Sequence, residues 1–244
     1  MDLEFYDKDR HEYFLDQFKQ YSREASEEEK EFFEEFLEET VEDIAEVTGI
    51  SADFKLYYAM TDEDSLDNDL PINRYVHGFS FAEWMNGFDR DVIMIRAVKD
   101  RENWRDCLVN MLAHEMAHQE FYSITHSAPY TNLENIVFEG HAMNRAEQVA
   151  EELNVGWKPH YRSSKVPDID VETVIDVLEY DRSYESENIF QNGEKPCSEA
   201  EGYQISYLVV KDILEYEELT LEDIPSQSEL ATQVRKSLKT VLSK

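Results

Sequence analysis

The chain has 244 residues, enough for one large domain or two small ones with a substantial core. Hydrophobic residues make up 41% and aromatics 12%, a globular composition, while 55 Asp and Glu against 23 Lys and Arg give a net charge of −32. Such a surface argues against nucleic acid or anionic lipid as a partner.

The acidic excess runs the whole length of the chain and is not a tail. At low ionic strength it repels itself; molar salt shortens the screening length to about 3 Å and removes most of that cost. A halophilic protein is therefore expected. Cys107 and Cys197 are the only cysteines, too few for a disulfide framework, and are expected as free thiols. The opening MDLEFYDKDRHEYF has neither a basic n-region nor an apolar h-region. No stretch approaches the ~20 apolar residues of a membrane span. A soluble, cytoplasmic protein with no membrane partner is the expectation.

In chain order, residues 8–24 read as a helix with Phe14, Phe18 and Tyr21 on one stripe. Ser26 followed by Glu29 is a capping box. It opens a helix that turns Phe33, Leu37, Val41 and Ile44 inward, ends at Gly49, and shows solvent a face that is nearly all glutamate. Residues 54–60, 75–82 and 91–98 read as strands. The acidic loop 61–71 lacks the glycine and glutamate of a calcium-binding loop, so a solvated loop is expected there.

Next comes a helix over about 102–123 (Asp100 its expected cap), apolar on most sides and so expected to be buried. Thr131 and Glu134 form a second capping box, opening a helix over 132–153. A short helix follows over 170–180. Ser198 and Glu201 make a third box before a helix carrying Tyr203, Tyr207, Val210 and Leu214, and a last helix covers 228–242. A small sheet followed by helices is an α+β fold. The domain plan is an N-terminal helical extension, 1–49, and a single unit, 50–244.

The helix over 102–123 contains His114-Glu115-Met116-Ala117-His118, the pattern H-E-x-x-H. Residues four apart share a helix face, so both imidazoles can reach one metal ion with Glu115 beside them. A catalytic zinc needs a third protein ligand and leaves its fourth position to water. The candidates are Glu120, His126, Glu134, Glu139 and His141. Glu120 stands about 200° around the helix from His118. The extended pattern with Gly and a third His fails, because Phe121 and Ile124 occupy those places. Glu139 is preferred: it lies in the next capped helix among Ile136, Val137 and Phe138. Gly140 follows it and allows close helix approach. The expected site is His114, His118 and Glu139 around one Zn2+ per chain. Glu115 would be general base in a zinc-dependent peptidase acting on peptide or protein substrates. The competing reading is a metal-stabilised binding or regulatory protein without turnover.

HEMAH, then FEGHA, then EAEGYQISYLVVKDIL together resemble the predicted zinc-dependent proteases of gluzincin-like kind. The resemblance spans about 50–216 and is carried by His114, Glu115, His118, Glu139, Gly140, Ala142, Gly202 and Tyr203. It departs at Ser206, where that family tends to have glycine, and at Met143, where thermolysin-like enzymes place an acid. It implies a zincin-like fold, a mixed sheet packed on the H-E-x-x-H helix with an edge strand that binds extended substrate. It also implies Tyr203 as a donor to the developing oxyanion; a core aromatic is the other reading of that residue. His126 and His141 are further candidate donors, and His77 and His160 have no assigned task.

Overall fold

The structure, a computed structural model, describes residues 1–7, 9–11, 22–61, 76–85, 89–97, 103–156, 168–180, 197–226 and 230–243. These form four strands and six helices, an α+β fold with a small mixed sheet. They group into two compact units: Met1–Glu120 with Ala146–Trp157, and Phe121–Arg145 with Lys158–Lys244.

In the first unit, strands β1 (Asp2–Phe5), β2 (Lys55–Met60), β3 (Val76–Phe81) and β4 (Val92–Ala97) lie in the order β1-β2-β4-β3. The pairs β1–β2 and β2–β4 are parallel, and β3 runs antiparallel to β4 at the sheet's edge. The central strands read KLYYAM and VIMIRA, near-continuous apolar runs of the kind that strands covered on both faces require. Edge strand β3, VHGFSF, is half-buried beyond Val76. Strand alternation sends Tyr57 and Tyr58 to opposite faces. Tyr57 joins Tyr6, Ala59, Val92 and Met94 in a core against which Phe79 and Phe81 pack. Tyr58 meets Phe33 on the other face, their ring centroids 4.8 Å apart. Strand β1 is an element that the sequence reading did not anticipate. Four residues with a single alternation carry too weak a periodic signal, and the pairing with β2 is long-range.

Phe33 belongs to helix α1 (Glu27–Thr48). The Ser26 hydroxyl accepts from Glu29 N and the Glu29 carboxylate from Ser26 N, which satisfies two donors at the helix start. Phe33, Leu37, Val41 and Ile44 are buried, while Glu31, Glu34, Glu38 and Glu42 on the same helix are exposed. Gly49 closes the helix in the left-handed region at φ 73°.

Helices α2 (Trp104–Thr125) and α3 (Asn132–Glu152) each run unbroken through a point where the units divide. The second unit adds α4 (Val171–Asp176), α5 (Glu199–Glu217) and α6 (Ala231–Leu242). Ser198 and Glu201 cap α5 reciprocally, as Ser26 and Glu29 cap α1. Ser237 Oγ donates to Val209 O and ties α6 to α5. The helix expected over 170–180 stops at Asp176. The carbonyls of Val177, Leu178 and Tyr180 instead accept from Asn132 Nδ2, Leu133 N and Asn132 N, serving donors at the start of α3.

Several expectations lie outside the described residues: most of the helix over 8–24, the acidic loop beyond Thr61, the cap at Asp100, and His160. No helix of the described residues is long and apolar enough to cross a membrane.

Candidate metal centre

The start of α2 is held by aromatic packing. The Trp104 ring lies 5.9, 5.3 and 5.5 Å from those of Phe32, Phe33 and Phe36 on α1. Cys107, Leu108, Leu112, Ala113, Met116 and Ala117 are buried along α2. Among these apolar side chains sit Glu115, His118 and Gln119, at 4%, 5% and 5% exposure. Polar groups are buried at that depth only where they find partners.

The His114 and His118 rings stand 4.5 Å apart at an interplanar angle of 83°. One ligand atom each from His114, His118 and Glu139 lies within 4.8 Å of the others. Zinc bonds of about 2.0–2.2 Å in a tetrahedral arrangement set donors roughly 3.4 Å apart, so small side-chain rotations close this set around an ion. Two imidazoles and one carboxylate are the donor types that zinc takes, and three of them leave one position open. By this test the residues fit the metal. His118 is buried, and His114 and Glu139 are half-buried.

The other candidates stand elsewhere. The Glu134 carboxylate accepts from Tyr130 N and Thr131 N and is occupied as a helix cap. His126 is exposed, just past the end of α2, in the left-handed region at φ 51°, its N–H donating to Tyr122 O. It serves as a helix stop. Glu120 is half-buried and is not one of the three residues that converge. His141 is fully buried, its ring 6.0 Å from that of Phe121. His77 alternates with Gly78 along β3 and pairs across the sheet with Arg96. Burial and the Arg96 charge push it down to about 4, which leaves it neutral near pH 7.

Around Glu139 the second unit is built by close approach. Gly140 lies against the main chain of Ser206 and the side chain of Val210 on α5. Asn144 Nδ2 donates to Gly140 O at 2.7 Å and to Tyr207 O at 3.2 Å. Tyr203 is half-buried near the start of α5, three residues before Ser206. The fully buried Arg145 side chain pairs with Glu222 at 3.0 Å.

Three residues outside the expected site join the motif helix to the sheet, two by hydrogen bonds and one by close approach. Ser80 Oγ donates to Glu115 O at 3.1 Å. Gln119 Nε2 donates to Ser80 Oγ, Val92 O and Phe81 O. Gly78 on the edge strand lies directly against the Glu115 side chain. Only Gly78 had a legible signal, since a glycine inside a strand pattern marks a bulge or a close approach.

No curated protein and no solved structure matches the chain. Residues 69–229 match a family model described as Predicted Zn-dependent protease (DUF2268). The match takes in both histidines, the glutamate between them, Glu139 and the Gly202-Tyr203 pair, and on that evidence the chain belongs to this family of predicted zinc-dependent proteases.

Proposed function

We infer that the protein is a zinc-dependent metallopeptidase that hydrolyses peptide bonds in a peptide or protein substrate, with His114, His118 and Glu139 holding one zinc ion. The observation that carries this reading is the convergence of those three ligand atoms within 4.8 Å, with Glu115 buried on the same helix as both histidines. A zinc ion there supplies Lewis acidity to a water and to an amide carbonyl. Glu115 accepts the proton that the attacking water loses and delivers it to the nitrogen leaving the broken C–N bond. The Tyr203 hydroxyl donates to the carbonyl oxygen as it gains charge. The antiparallel edge strand β3 and the motif helix beside it support a zincin-like, gluzincin-type arrangement, with extended substrate along β3.

The test is a peptide-pool digestion read by mass spectrometry, alongside metal analysis. One zinc per chain and cleavage lost on chelation are expected. Glu115→Gln should keep the zinc and lose at least about 100-fold in kcat. His118→Ala should lose the zinc. Zinc binding with no cleavage, unchanged by Glu115→Gln, would sink the peptidase reading in favour of a metal-stabilised binding protein.

A further inference from the structure

Gly78 has no conformational reason to be glycine. Its φ lies outside the left-handed range, so the backbone suits any L-residue. Its reason is space, and one side chain uses that space. A β-carbon built at Gly78 would stand 2.5 Å from Glu115 Oε1, 2.6 Å from Cγ and 2.8 Å from Cδ, its three nearest atoms. The Glu115 carboxylate therefore lies across the main chain of the edge strand where a side chain is missing. The strand cannot drift away to make room. Two residues on, Ser80 Oγ bonds the Glu115 carbonyl, and Gln119 Nε2 bonds Ser80 Oγ at 2.6 Å, Val92 O at 2.9 Å and Phe81 O at 3.1 Å.

We propose that Gly78 is a positioning residue for Glu115: the absent β-carbon sets where the carboxylate lies, and the Ser80–Gln119 bonds hold the strand at the distance that makes the glycine necessary. The proposal rests on the peptidase reading for its catalytic consequence, while the contact itself can be tested without catalysis. The atoms that must give way to a new β-carbon, Oε1, Cγ and Cδ, all belong to one side chain and none to the backbone, so Gly78→Ala should fold with the Glu115 side chain displaced. A general base moved off its position loses rate while substrate binding is left alone.

The experiment is a double-substitution cycle of Gly78→Ala with Glu115→Ala, read first as melting temperature on metal-free protein. Gly78→Ala should lower the melting temperature by several degrees with Glu115 intact. In the Glu115→Ala background those three nearest atoms are gone, so the same change should cost much less and the melting temperature should hold or rise. The second reading is kinetics on the zinc-loaded enzyme. Gly78→Ala should lower kcat by about tenfold or more, leave KM within about twofold and retain one zinc per chain. Additive melting temperatures, or an unchanged kcat in an active enzyme, overturn the proposal. If Gly78→Ala fails to fold, rescue by the added Glu115→Ala supports it and failure of both overturns it. A wild-type protein that cleaves nothing would defeat the peptidase reading and leave the melting-temperature coupling to decide the contact on its own.

Discussion

Gly140 and Ser206 meet main chain to main chain: a β-carbon added at position 140 would stand 3.0 Å from the Ser206 carbonyl carbon and nearer still to its oxygen. Here, unlike at Gly78, two of the three nearest atoms are backbone and cannot rotate away; the third is the Val210 Cγ2 methyl. Gly140→Ala should therefore overpack the α3–α5 contact and cost about 1–3 kcal/mol of stability. Because Glu139 is the preceding residue, zinc affinity should fall as well. Denaturant unfolding and zinc titration check the two effects. A variant of wild-type stability and affinity would show that the helices can separate without consequence.

Glu29 should govern part of the acid stability. The Arg23 guanidinium, donating to it at 2.9 Å from both Nη1 and Nη2, and the Ser26 main-chain N–H hold its carboxyl down to about 2, below its ordinary 4.5. A depressed carboxylate stabilises the fold fully above 4.5 and loses that contribution as pH falls toward 2. Arg23 is partly exposed, so the pair is worth about 1 kcal/mol at most. Glu29→Gln should lower stability at pH 7 and flatten its fall between pH 4.5 and 2. An unchanged pH profile by thermal unfolding would contradict this.

Both cysteines should be inert in the folded protein. Burial pushes the Cys107 thiol up to about 12, and burial with the nearby Glu201 charge does the same for Cys197. The nucleophile is the thiolate, which at pH 8 is then a trace. A chromogenic thiol reagent should find neither group in native protein and two per chain after unfolding. Rapid native reaction of either would show that its segment opens.

Salt should stabilise the fold. We propose that the acidic surface, dense along the exposed face of α1, is suited to high ionic strength. Thermal or urea unfolding in dilute buffer and in molar potassium chloride should show a clear gain in salt, where charge repulsion is screened. Equal stability in both would leave the acidity without that explanation.

Much of this was legible residue by residue. The capping boxes at Ser26, Thr131 and Ser198 signal helix starts because their chemistry is local, a hydroxyl and a carboxylate exchanging bonds across one turn. The apolar runs of β2 and β4 show as strands because they are covered on both faces. The four-residue spacing of His114 and His118 puts both rings on one face by helix geometry alone. What lay beyond the sequence depends on which segments meet. Residues 2–5 pair with β2, and β3 comes to the edge beside the motif helix, contacts between residues far apart in the chain. In the tertiary structure Glu134 and His126 have helix-end work, while ligand atoms of His114, His118 and Glu139 lie within 4.8 Å of one another. The tertiary structure also set Gly78 against Glu115. By itself the sequence determined which residues could bind a metal, because that follows from side-chain chemistry and local spacing. Which of them converge, and what holds the glutamate between the histidines in its place, was decided by long-range packing that no local pattern encodes.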